Sequence, residues 1–152
     1  MLCCLRVFRI TFIIIAGLCW PLGATADTGV VTVYKSASCG CCQGWIKHMR
    51  ANGFDVTARD LQSDELSRVK SEYNIPKSAH SCHTAVVDGY VVEGHVPAQI
   101  VTRLLTERPA AIGISAPGMP AASPGMDIPS GGPYDIVIFD AGGQTRLYQR
   151  VD

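Results

Sequence analysis

An α/β domain is the fold class this sequence predicts, and three observations point to it. A short β-branched run, Gly29 to Lys35, leads through a serine-rich turn into a helical pattern. Strand-like and helix-like stretches then alternate, and Asp88-Gly89 joins two further strand-like runs as a type I′ hairpin would. At 152 residues, 47% hydrophobic and 17% charged, the chain has the length of one domain and enough apolar material for a core.

Residues 1–26 are expected to stand outside that domain as a signal peptide, leaving 27–152 as the folded unit. Arg6 and Arg9 precede an apolar run from Ile10 to Trp20, and Ala24-Thr25-Ala26 follows. A basic start, an apolar middle and a small-residue end form a cleavable secretory signal. The run falls short of the about 20 apolar residues of a membrane span, so no stable anchor is expected. Leu18 before Cys19 is bulkier than lipoprotein processing favours. Cleavage removes Cys3, Cys4 and Cys19 and leaves Cys39, Cys41, Cys42 and Cys82. It also removes two of the 13 basic residues and none of the 13 acidic ones, so the remaining chain has no net positive charge to recruit nucleic acid. Export places the remaining thiols in an oxidising compartment, where they persist as disulfides, metal ligands or redox couples.

Each element has its own signal. After the first strand, Trp45, Ile46 and Met49 fall at helical spacing between Cys42 and Asn52, and Asn52-Gly53 supplies the stop. Phe54 to Ala58 alternates as a second strand. Asp60 to Glu72 is expected to be helical, with Asp60 or Ser63 as N-cap and Asn74-Ile75-Pro76 as the break. Thr84 to Val87 and Tyr90 to Glu93 form the hairpin. Ala98 to Glu107 presents Ile100, Val101, Leu104 and Leu105 on one face, with Pro97 at the first helical position and Pro109 at the end. The resulting β-α-β-α-β-β-α order is that of a thioredoxin-like domain, although Ala79 to Thr84 lacks the proline expected before the third strand. Between Pro109 and Pro133 the Pro, Gly, Ser and Ala content predicts neither helix nor strand, and Pro117-Gly118-Met119-Pro120 is nearly repeated at Pro124-Gly125-Met126-Asp127. Tyr134 to Phe139 and Thr145 to Arg150 should close the chain as a hairpin on the sheet's edge.

The chemistry concentrates at the first strand-to-helix junction, in Cys39-Gly40-Cys41-Cys42. A helix N-terminus favours anions, so thiolates should form there more readily than in free cysteine. Several thiolates in one loop repel each other, which favours either a cation among them or a disulfide. Soft sulfur ligands select Cu(I), zinc or iron-sulfur clusters. Cys82 stands before a strand expected to run beside the first one, which makes it the fourth candidate ligand. Two structural disulfides, for instance Cys39 with Cys42 and Cys41 with Cys82, are the competing arrangement. His83 is a candidate ligand by adjacency, and His80 would share Cys82's face if this segment is extended. His95 is read as a turn residue and His48 as a solvated helix residue. Met119 and Met126 both follow Pro-Gly in a loop, and a thioether is a soft Cu(I) ligand.

Val33-Tyr34-Lys35-Ser36 with Cys39-Gly40-Cys41-Cys42 and Trp45, Ser81 to Tyr90, Glu93 to Ala98, and Pro117-Gly118-Met119-Pro120 with Ser123-Pro124-Gly125-Met126 together resemble the CopG-type copper-resistance proteins. These are exported bacterial metal-binding proteins long catalogued as a domain of unknown function. The resemblance spans the mature chain and implies a thioredoxin-like fold, a periplasmic location and copper held by Cys39, Cys41, Cys42 and Cys82. Ala122 departs from the family, which more often has glycine there. The expected function is Cu(I) binding in copper resistance, with one copper ion or more, and other periplasmic copper-handling proteins are the expected partners. An oxidoreductase cycling Cys39 and Cys42 between dithiol and disulfide is the alternative. A zinc-binding or disulfide-stapled structural module is the second alternative.

Overall fold

The computed structural model describes residues 29–152, so the expected leader and its cleavage site lie outside the described residues. Among the described residues, seven strands, numbered β1 to β7 along the chain, form one mixed sheet in the order β2-β1-β3-β4-β5-β6-β7, with three α-helices. No helix among the described residues is long and apolar enough to cross a membrane.

The strand β1 (Val30–Lys35) turns Val31, Val33 and Lys35 inward at alternate positions. The helix α1 (Gly40–Ala51) follows with Cys39 as its N-cap, so it starts two residues before the periodicity suggests. Cys42, Trp45, Ile46 and Met49 are its buried residues. The strand β2 (Asp55–Asp60) pairs parallel with β1 at the sheet's edge. The helix α2 (Ser63–Glu72) is capped by Gln62 rather than by Asp60 or Ser63. Gln62 and Glu65 form a reciprocal capping box, in which the Gln62 amide N–H donates to Glu65 Oε2 at 2.8 Å.

The strands β3 (Thr84–Val87) and β4 (Tyr90–Glu93) form the expected hairpin. Asp88 and Gly89 take φ of 48° and 83°, the left-handed pair a type I′ turn requires. The helix α3 (Ala98–Glu107) begins after Pro97, which is its N-cap and not its first helical residue, and Arg108 closes it in the left-handed region. A strand within the Pro/Gly-rich stretch was not expected. The strand β5 (Gly113–Ser115) is there nonetheless, fully buried, parallel to β4 and antiparallel to the next strand. Gly113 lies so close to the Val91 carbonyl that a Cβ has no room, so the glycine that argued against a strand is what lets this one fit. The strands β6 (Tyr134–Phe139) and β7 (Thr145–Val151) complete the sheet as the edge hairpin.

The main core lies on one face of the sheet. Trp45, Ile46 and Met49 of α1 and Ile100, Val101 and Leu104 of α3 cluster there with Val31, Val33, Ala85, Val87, Val92, Ile114, Ile136 and Ile138. On the other face Ile75 and Ala79 meet Val91 and Phe139. The register matters most for function. Tyr34 at the end of β1 stands opposite Thr84 at the start of β3, so the turn after β1 and the segment before β3 emerge side by side.

Candidate metal centre

The four cysteines meet at that sheet end, with their Sγ atoms all within 4.8 Å of one another. Cys39 and Cys42 are joined as a disulfide across the first turn of α1, their Cα atoms 5.3 Å apart. Cys41 and Cys82 are free, half-buried thiols. Cys41 Sγ lies 3.5 Å from Cys39 Sγ, and Cys82 Sγ lies 3.6 Å from Cys42 Sγ. Of the two disulfides in the competing arrangement, only the first is formed.

Two histidines join the cluster from the side of Cys82. His83 Nδ1 is 3.4 Å and His95 Nε2 is 3.0 Å from its Sγ, and the three donor atoms lie within 4.8 Å of one another. The reading of His95 as a turn residue holds for its backbone and misses its side chain, which is fully buried. His95 Nδ1 is 2.7 Å from the Pro124 carbonyl, which can only accept, so Nδ1 carries the proton and Nε2 offers its lone pair to Cys82. His83 is also fully buried and rests against the Trp45 ring at 4.5 Å between centroids. Its Nε2 has no hydrogen-bond partner among the described residues. His83 Nδ1 and His95 Nε2 beside the Cys82 sulfur, next to the three other sulfurs, make a donor set that fits a soft metal ion.

The other histidines have structural tasks. His80 Nε2 is 3.1 Å from the Ile75 carbonyl. His48 is not a solvated residue: its half-buried Nε2 accepts the Ala98 N–H at 3.0 Å and caps the start of α3. Burial lowers its pKa.

Burial dominates the electrostatics of the centre. The Cys82 thiol is pushed up to about 12, first by burial and then by Cys41. Burial, and then His95, holds His83 well below the usual imidazole range; burial also lowers His95. Neutral imidazole is the form that binds metal, and a cation placed among the thiols reverses the penalty on their ionisation.

The two Pro-Gly-Met loops each pack against one of the segments that carry the cysteines. The first is tied to the segment before Cys82: Gly118 N–H donates to the His80 carbonyl at 2.9 Å, and the Ser81 hydroxyl donates to the Gly118 carbonyl. The second lies on the start of α1. At Gly125, with φ of 89°, an added Cβ would stand 2.5 Å from both the Cys41 carbonyl oxygen and the Trp45 nitrogen. Met119 is 55% exposed and Met126 half-buried. Ala122 is exposed, so the departure at that position meets no packing constraint. Gly125→Val should lift the second loop off α1, release Pro124 from His95 and destabilise the protein by about 1–3 kcal/mol, readable as a lower urea midpoint. An unchanged midpoint would mean that the loop does not dock there.

Fold and site together define an α/β domain with a thiol-imidazole cluster suited to a soft metal ion. The chain belongs to the CopG family of copper resistance proteins. Two solved structures, titled "Copper resistance protein copG- Form 1" and "Form 2", are each 42% identical to it, with TM-scores of 0.75 and 0.74. The matches cover 81% and 82% of this chain and 97% and 98% of theirs. The family model "Protein of unknown function, DUF411" matches residues 79–126, the stretch that carries Cys82, both buried histidines and both Pro-Gly-Met loops. Comparison with curated proteins gives no match.

Proposed function

We propose that this chain is a periplasmic Cu(I)-binding protein of copper resistance, exported by residues 1–26 and built on a thioredoxin-like domain. The observation that carries the reading is the convergence of Cys39, Cys41, Cys42 and Cys82 to within 4.8 Å. Reducing the Cys39–Cys42 bond yields four thiols in one place, and bridging sulfurs could hold one Cu(I) or several. His83 and His95 are the nitrogen donors beside them, and Met119 and Met126 the thioether candidates on the Pro-Gly-Met loops. Copper-handling proteins of the same compartment are the proposed partners. The relatives named for copper resistance support copper over zinc.

The test is anaerobic titration of the reduced mature protein with Cu(I), followed by competition with zinc and metal analysis. Tight copper binding that zinc does not displace is expected. Retention of zinc with copper lost would overturn the reading in favour of the zinc module.

The disulfide beside two free thiols favours a second reading, a copper-linked oxidoreductase. Closing Cys39–Cys42 releases two electrons and two protons, which two Cu(II) ions, reduced to Cu(I), or a partner's disulfide, reduced to its dithiol, would take up. Turnover in a reductase assay that depends on both cysteines supports it; no turnover with or without copper removes it.

A further inference from the structure

Behind Cys82, on the sheet face away from α1, lies a buried ion pair that the copper-binding reading does not use. Glu93, at the end of β4, is fully buried, and Lys70 of α2 is 7% exposed. Lys70 Nζ donates to Glu93 Oε1 and, at 3.0 Å, to Thr84 Oγ1. The same Oε1 accepts the Ser81 backbone N–H at 2.6 Å, while Oε2 accepts the Thr84 hydroxyl at 2.7 Å. One carboxylate therefore holds the residues on either side of Cys82-His83. The next peptide completes the clasp, with Gly94 N–H donating to the His83 carbonyl at 2.9 Å just before His95.

A buried ion pair is a poor way to stabilise a fold, because desolvation consumes most of the attraction and apolar residues of similar volume often do as well. Geometry is what this one supplies. Ser81 lies at an isolated bridge to Gly118 outside any regular strand, so the sheet ladder does not fix its amide. A ligand carried on such a segment holds its position only if something else orders it. We propose that Glu93, neutralised by Lys70, is a positioning residue that fixes the Ser81–Thr84 segment so that Cys82 and His83 face the other sulfurs. The inference rests on the copper-binding reading for its functional meaning and on the observed hydrogen bonds for its geometry.

Two charge-free double variants separate position from stability. E93L/K70M removes the acceptor for the Ser81 amide, whereas E93Q/K70M keeps a carbonyl oxygen there. Both are expected to unfold thermally close to the wild type without metal. E93L/K70M should bind Cu(I) about 10–100-fold more weakly in anaerobic competition against a chromophoric chelator, with an altered sulfur-to-copper absorption band. E93Q/K70M should stay within about threefold of the wild type, the rescue a purely structural role does not predict. Wild-type affinity in E93L/K70M, or equal losses in both folded variants, overturns the proposal. If neither variant folds, hydrogen exchange of the Ser81 amide in the wild type decides: protection like that of β3 supports the clasp, and loop-like exchange overturns it. Failure of the wild type to bind Cu(I) would sink the copper-binding reading, while the Ser81 amide would still report on the clasp.

Discussion

Trp45→Ala is expected to lower the stability of the metal-free protein by about 3–5 kcal/mol, the usual cost of removing a large aromatic ring from a packed core. Trp45 is fully buried where α1 meets the sheet, in the same cluster as Val31, Val33 and Leu104. Its indole N–H donates to the Val96 carbonyl at 2.8 Å, so truncation also strips a partner from the loop that leads into α3. The ring also packs against His83 at a tilt of 44°, and the cavity would free that imidazole to turn away from Cys82. Trp45→Phe keeps most of the ring and loses the hydrogen bond, and should cost roughly 1–2 kcal/mol. Denaturant unfolding of the three proteins checks the order. A loss below about 1 kcal/mol for the alanine variant would mean that Trp45 does not hold α1 against the sheet.

The helix α3 was legible in the chain because its burial is periodic, and the β3–β4 hairpin because Asp88-Gly89 marks its turn. The span Ala98 to Glu107 matches α3, and the runs Thr84 to Val87, Tyr90 to Glu93 and Tyr134 to Phe139 match β3, β4 and β6. The strand β5 was hidden because three residues carry no period and glycine is an unfavourable strand former; its burial comes from neighbours distant in sequence. The cysteines were legible from their spacing and from the pairing of β3 with β1. His95 was missed although the hairpin encodes it. The β3–β4 register pairs Thr84 with Glu93, and carrying it two residues outward sets Cys82 opposite His95. A reading that extends the type I′ turn past the strand ends would have found the contact. Lys70 and Glu93 gave no such signal, since a lysine on an amphipathic helix and a glutamate ending a strand are ordinarily solvent-facing. Only the packing of α2 on the sheet brings them together.

Cys82→Ser is expected to reduce Cu(I) affinity by about a hundredfold or more while leaving the metal-free fold nearly unchanged. The asymmetry follows from where Cys82 stands. It is the one residue shared by the four-sulfur group and by the Cys82-His83-His95 group, so its loss removes a donor from both. It takes part in no disulfide and is half-buried, so a hydroxyl in its place leaves the chain's crosslink and packing intact. Serine nearly matches cysteine in shape but is a hard oxygen donor that stays protonated at neutral pH, and Cu(I) prefers soft sulfur. Cys41→Ser touches only the sulfur group and should cost less, which makes the pair of variants more informative than either alone. Anaerobic titration with a chromophoric competitor gives both affinities, and urea unfolding of the metal-free proteins gives the control. Unchanged stoichiometry and affinity in Cys82→Ser would remove that residue from the site and leave copper to the Cys39-Gly40-Cys41-Cys42 loop. A large loss in Cys82→Ser with a smaller one in Cys41→Ser would place the binding energy at the sulfur that the sheet register, the Glu93 clasp and His95 all hold in position.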